Sequence, residues 1–447
     1  MGDAPGSPRL DKLLRSRSYP RLFQWMTVAA FAAIVLTALF GPNNAGQNFG
    51  TALTWTLWWP LLPLSLLLLG RTWCAVCPFA WLMNRVQKAV GLRLPAPAAL
   101  RRFGPWIIGA LFVLITFVDE TWAVSGDPRA TGYLLLAVLA IVVAFAAFFD
   151  RQTFCRDVCF IGGFAANYAR AGMIRLRTSP DRCAGCAAQP CREGTQDAPG
   201  CPVFLFPPDV EDAATCHLCG NCLKNCPRGA ITAAIVPPTS GLGEIRRPLL
   251  SDAVMAATIM GVVLMEQFSM LRLWKPLWEG IGALLGLDPY VWRPLVLGLL
   301  LAAFILAPLA ALGLASLASR PLAGREPRIA PARSFAAFGY SVVPLALAGQ
   351  FAHGLAKLLT QSRNVPYALL AIAGRFPEST PAPWLSNSAV FAIEMAVLAL
   401  GAAASLYVGF RIGRRFTRAA FLPYAFVILS VLAAELYAVA AMLHEMG

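Results

Sequence analysis

The sequence predicts an α-helical polytopic membrane protein of about nine transmembrane helices, interrupted by one small cysteine-rich insert. Three observations lead there. Hydrophobic residues make up 58% of the 447 positions and charged residues only 13%, about half the usual soluble share. Several stretches run for about twenty residues without a charge, the length a helix needs to cross a bilayer. Finally, the long polar stretch near 150–249 is rich in Pro and Gly and holds eight closely spaced cysteines.

The spans are expected near 22–41, 51–70, 105–122, 131–149, 250–271, 293–316, 335–359, 387–410 and 421–443. The first follows a basic arm containing Arg9, Lys12, Arg15, Arg17 and Arg21. Its long apolar run, with no small-residue cleavage site after it, reads as an uncleaved anchor. Trp and Tyr between 272 and 292 mark an outer interfacial segment. The irregular stretch 360–386 reads as an outer loop with an interfacial helix at Tyr367–Ile372. Three regions follow: a four-helix membrane region over 1–149, a cytoplasmic segment over 150–249 and a C-terminal region of about five helices over 250–447.

Charge sets the orientation. Most Lys and Arg fall in the N-terminal arm, between Arg71 and Arg102, between Arg151 and Arg247, near Arg325–Arg333 and near Arg411–Arg418. Basic residues collect in cytoplasmic loops, so the N-terminus and the insert are expected inside a bacterial-type inner membrane. The formal charge of +14 is then a topology signal, and no nucleic-acid partner is expected. For the same reason Arg71, Arg151 and Arg156 read as part of this bias.

The insert has little apolar sequence with which to form a core, and such units are commonly folded by metal. Its strongest signal is Cys216-His217-Leu218-Cys219-Gly220-Asn221-Cys222-Leu223-Lys224-Asn225-Cys226-Pro227. This is the C-x2-C-x2-C-x3-C-P run of bacterial ferredoxins, in which the fourth cysteine serves the other cluster. The companion run is Cys183, Cys186, Cys191 and Cys201-Pro202. Crossed ligation predicts one [4Fe-4S] cluster on Cys183, Cys186, Cys191 and Cys226, and a second on Cys216, Cys219, Cys222 and Cys201. A zinc ribbon built from C-x2-C pairs would leave four of these eight thiols without a role. His217, inside the strong run, reads as a solvated side chain.

Two further pairs, Cys74/Cys77 and Cys155/Cys159, follow the second and fourth predicted spans. Both spans run inward, so the pairs should emerge at the same depth. Four thiols there could hold an additional metal centre, an iron–sulfur group, Cu(I) or Zn(II), or act as a redox dithiol. Packing as small buried hydrophobes is the plainer alternative.

These residues resemble the membrane-bound polyferredoxin group. That group includes the periplasmic nitrate reductase quinol-dehydrogenase subunit, the nitrous-oxide reductase expression regulator and the cytochrome-oxidase maturation ferredoxin. The likeness covers roughly residues 20–235. The first helix-end pair here is one residue shorter than the group's C-x3-C-P, and the second ends in Cys159-Phe160. The resemblance implies quinol oxidation, with electrons passed to a respiratory or assembly protein partner.

Within the spans, His353 and Glu394 are candidate proton acceptors for a quinol, since ionisable groups in a bilayer are functional suspects; a helix–helix hydrogen bond is the plainer alternative. Gln350, Glu266, Glu435 and His444 are the other polar groups of interest. A bis-histidine haem is not expected, because His353 and His444 lie on separate helices and His444 is near the chain end. Two alternatives stand beside electron transfer from quinol. One is a metalloenzyme maturation or regulatory factor that uses the helix-end cysteines. The other is a structural membrane anchor.

Overall fold

The computed structural model describes residues 6–196, 198–322, 330–372, 374–375, 382–415 and 418–446. Arg325 and Arg328 of the charge pattern, and part of the 360–386 stretch, lie outside the described residues. Among the described residues, nine helices are long and apolar enough to cross a bilayer. They are Arg21–Phe40, Phe49–Leu69, Ala98–Trp122, Pro128–Phe148, Leu250–Ser269, Pro289–Leu322, Pro331–Gln361, Asn387–Gly413 and Arg418–Glu445. Every span read from the sequence has a counterpart, and the ends shift by a few residues because polar flanks continue the helix past the apolar run. The two stretches expected at the interface contain helices, at Trp274–Leu285 and Asn364–Ile372.

The chain divides into two compact units. The first comprises Met1–Val35, Leu64–Ile108 and Tyr133–Arg246, and holds all twelve cysteines. Its centre is an antiparallel pair of strands, β1 (Ile174–Thr178) and β2 (Ile231–Ile235). Their register runs from Ile174 opposite Ile235 to Thr178 opposite Ile231. All eight cysteines of the two runs lie in the chain between these strands, so the pairing holds both ends of the cysteine-bearing segment together.

The N-terminal arm contributes more than charge to this unit. Pro8–Arg15 is a short helix with Pro at its start, where a missing N–H is harmless. Its apolar side buries Leu14 in a core with Tyr19, Leu223, Ile231 and Ala233. Ser7 N donates to Ala233 O at 2.8 Å, and Ala233 N donates to Asp11 Oδ1 at 2.7 Å. Arg15 donates to the carbonyls of Leu223 and Ile231.

The second unit comprises Leu36–Pro63, Gly109–Gly132 and Arg247–Gly447. Leu250–Ser269 and Pro331–Gln361 are its inner helices, with 72% and 89% of their apolar windows buried against 28% for Pro289–Leu322. Lipid tails are as apolar as leucine, so helices here associate through close backbone approach and polar contacts. Gly261 provides such an approach: a Cβ at this position would lie 2.5 Å from Phe304 O and 2.6 Å from Ile305 Cα. Tyr424 donates to Ser316 Oγ at 2.8 Å and also bonds Ser334 Oγ at 2.8 Å.

Gly261→Leu is expected to force this helix pair apart, at a cost of about 1–3 kcal/mol. Thermal unfolding of the detergent-solubilised protein should show a lowered midpoint, with Gly261→Ala falling between it and the unmodified chain.

Candidate metal centres

All twelve cysteines carry free thiols, and all lie in the first unit. Local backbone shape decides where they point. In the strong run, Leu218 and Gly220 take left-handed conformations, with φ of 53° and 76°. They curl the loop so that Cys216, Cys219 and Cys222 line one pocket together with Cys201 from the other run. Gly220 is required twice over, by its φ and because a Cβ there would collide with the Leu14 carbonyl. Tyr19 Oη donates to Leu218 O at 2.9 Å, tying the loop to the N-terminal arm.

The mutual electrostatic influence of the thiols sorts them into three groups. Cys183 and Cys191 each feel Cys186 and Cys226. Cys216 feels Cys219 and Cys201, and Cys222 feels Cys216, Cys219 and Cys201. Cys222 also feels Cys191, so the first two groups are neighbours. In each, the fourth member of one run stands with three members of the other. Among the described residues, no His, Cys, Asp or Glu side chains converge as three or more to hold a single metal ion.

The third group is the helix-end set. Cys155 feels Cys159, Cys77 and Cys74, and Cys77 feels Cys74 and Cys159. The chain after Cys77 and the end of the Pro128–Phe148 helix are joined by backbone bonds. Leu92 N donates to Ala147 O at 2.8 Å and Leu94 N to Phe148 O at 2.9 Å. Gln87 adds a side-chain bond to Phe149 O at 3.0 Å. The turn between Cys74 and Cys77 is held from the first span, where Gln24 donates to Ala75 O at 2.8 Å and Thr27 to Val76 O.

Withdrawal from water, reinforced by the neighbouring sulfurs Cys74 and Cys159, pushes the Cys77 thiol up to about 12. Desolvation likewise raises Cys216 to about 12, Cys219 to about 11 and Cys159 to about 11. Metal ligation requires the thiolate, so a bound cation must supply the stabilisation that water does not. Backbone donors are already aimed at several sulfurs. Leu205 N lies 3.3 Å from Cys201 Sγ, Leu218 N 3.4 Å from Cys216 Sγ and Ala230 N 3.3 Å from Cys226 Sγ.

Two expectations about side chains are corrected. His217 is only 4% exposed, not solvated, because the left-handed turn at Leu218 folds it into the pocket lining. Burial, then the Arg71 charge, holds its imidazole well below the usual range and therefore neutral. Arg71 and Arg151 are structural as well as basic. Arg71 is buried and donates to Ala214 O. Arg151 donates to Arg192 O at 2.8 Å and Cys201 O at 2.6 Å, and stacks on Phe204 at 4.1 Å. Arg156 pairs with Asp157 at 2.9 Å.

In the second unit, His353 and Glu394 are both buried. Among the described residues, no hydrogen bond or ion pair joins them. His353 instead lies within electrostatic reach of Lys357. Glu266 accepts from Gln350 at 3.1 Å and is within reach of Glu120 and Lys357. Glu120, near the end of Ala98–Trp122 and not singled out from the sequence, joins this set through its proximity to Glu266. Glu435 is fully buried with neither carboxylate oxygen hydrogen-bonded. His444 is exposed.

Gly220→Val should unseat both the loop and the Leu14 contact. We expect loss of the pocket lined by Cys201, Cys216, Cys219 and Cys222, read as faster amide exchange across 216–223 with exchange in the 250–269 helix unchanged.

No family model and no solved structure matches the chain. An uncharacterized protein of Methanocaldococcus jannaschii is similar to it, 25% identical over 166 residues. The match takes in 36% of this chain and 64% of that protein, so the chain spans less than two thirds of its relative.

Proposed function

We propose that this chain is a membrane-bound iron–sulfur electron-transfer protein that passes electrons between the quinol pool and a redox protein partner. The observation that carries the reading is the crossed grouping of the two cysteine runs. Cys226 stands with Cys183, Cys186 and Cys191, while Cys201 stands with Cys216, Cys219 and Cys222. A pair of zinc ribbons would have no use for this exchange of fourth ligands. Single-ion spacing is not required of the thiols, because each ligand of a cubane binds a different iron. In this reading the eight cysteines hold two [4Fe-4S] clusters, and the clusters, when bound, supply one-electron transfer.

The chain's own residues set the conditions. Backbone N–H groups at Leu205, Leu218 and Ala230 face the sulfurs, and such bonds raise cluster potential. The neutral, buried His217 and the apolar lining keep water away from the Cys216 group. The N-terminal arm and the insert are hydrogen-bonded within one unit, so they share a membrane face. The basic bias of that face supports a cytoplasmic side, at the inner membrane of a bacterial-type cell. The reading keeps the polyferredoxin resemblance and its quinol substrate. Each quinol oxidised to quinone releases two electrons and two protons. The electrons leave one at a time to the protein acceptor. His353, beside Lys357, and Glu394 are the proposed proton acceptors.

A second reading, maturation of a metalloenzyme, draws on the gathering of Cys74, Cys77, Cys155 and Cys159. Anaerobic stopped-flow mixing with menaquinol separates the two. Electron transfer from quinol predicts bleaching of the cluster absorbance on a catalytic timescale, slowed at least several-fold by His353→Ala and by Glu394→Gln. Clusters that dithionite reduces and menaquinol leaves untouched would reject the quinol reading and favour the maturation role.

A further inference from the structure

The helix-end group has a feature that packing of small hydrophobes does not explain. Cys77 and Cys159 each occupy the N-cap of a helix, Pro78–Ala89 and Phe160–Ala169. The Cys77 side chain makes no capping hydrogen bond, but the N–H groups of Phe79 and Ala80 lie within electrostatic reach of its sulfur. The Cys159 sulfur accepts from Gly162 N at 3.3 Å and faces Ile161 N–H as well. Helix N-termini carry partial positive charge and favour anions. This also accounts for Pro78 in one pair and Phe160 in the other. Both stand at the first helical position, where the backbone N–H has no helical partner.

Arg71 is the second, independent observation. Its side chain is 5% exposed, and among the described residues no carboxylate pairs with it. One nitrogen donates to Ala214 O, and Nε has no hydrogen-bond partner. Its charge acts on Cys155 and Cys159 on one side and on Cys216 and His217 on the other. A buried guanidinium without a counter-charge is strongly unfavourable. A thiolate-ligated, anionic centre beside Cys155 and Cys159 would supply that charge.

We infer that Cys74, Cys77, Cys155 and Cys159 hold a third iron–sulfur cluster, and that Arg71 is the counter-charge it shares with the centre at Cys201, Cys216, Cys219 and Cys222. The inference rests on the two-cluster reading of the insert. Two helix N-termini and one arginine converge on four thiols that come from distant parts of the chain. Arg71 acts as a positioning and tuning residue: its charge favours the reduced, more negative form of both neighbouring centres.

The test uses the full chain purified anaerobically in detergent. Iron and acid-labile sulfide should each reach about twelve per chain, four for every thiol group. Cys155→Ser should lower both to about eight. Potentiometric titration followed by EPR should then show Arg71→Gln shifting two midpoints downward while the Cys183 centre stays put. Arg71→Lys should restore most of the shift, which a purely structural role for the side chain would not do. About eight irons in the unmodified chain, unchanged by Cys155→Ser, would overturn the inference and leave the insert reading intact. A single copper or zinc lost on Cys155→Ser would overturn it equally. A preparation that binds no iron under reconstitution would sink the insert reading along with it.

Discussion

Eight thiols in a segment with few large apolar side chains of its own form the constraint on which the first unit depends. Cys191 and Cys222 are themselves members of its hydrophobic core, beside Leu14, Tyr19, Leu223 and Ile231. These two cysteines therefore serve as packing as well as candidate ligands. A segment this small cannot close a core unaided, and the protein recruits one from elsewhere. The Pro8–Arg15 helix lies against the strong cysteine run, and Gly220 admits its backbone. The N-terminal arm, basic and short, is thus part of the cysteine module.

Charge in this unit follows the same economy. Three arginines of this unit are held by backbone carbonyls: Arg71 by Ala214, Arg151 by Arg192 and Cys201, and Arg15 by Leu223 and Ile231; Arg151 also pairs with Glu193. Carbonyl partners orient a guanidinium without neutralising it. Of the three, Arg71 has no carboxylate partner among the described residues, so its charge acts on the neighbouring thiols. Desolvation of the sulfurs acts in the same direction, since an empty group of buried thiols is neutral and a metal-loaded one is anionic.

The second unit meets a different problem. Its helices gain little from apolar contact in lipid, so glycine approaches and hydroxyl bonds hold them together. Against that background, the grouping of Glu120, Glu266, Gln350, His353 and Lys357 stands out as a polar site inside an apolar scaffold. Glu435 is a separate case, fully buried and unpartnered.

Among the described residues, the nine helices long and apolar enough to cross a bilayer were legible from the sequence, and so were the two cysteine runs as runs. Uncharged runs and cysteine spacing are local properties, written in consecutive residues. The helix-end cysteines were legible as pairs, because each pair closely follows a long apolar run. Other features required the fold. The burial of His217 depends on a single left-handed residue at Leu218, and no hydropathy pattern encodes that. The docking of Leu14 joins residues about 200 positions apart. The Arg71 environment arises only when the Cys74–Cys77 turn, the Cys155–Cys159 turn and the Cys216 loop meet. Spacing specifies which atoms are available as ligands, but the distance between two charges depends on the path the chain takes between them, and that path was decided by tertiary packing.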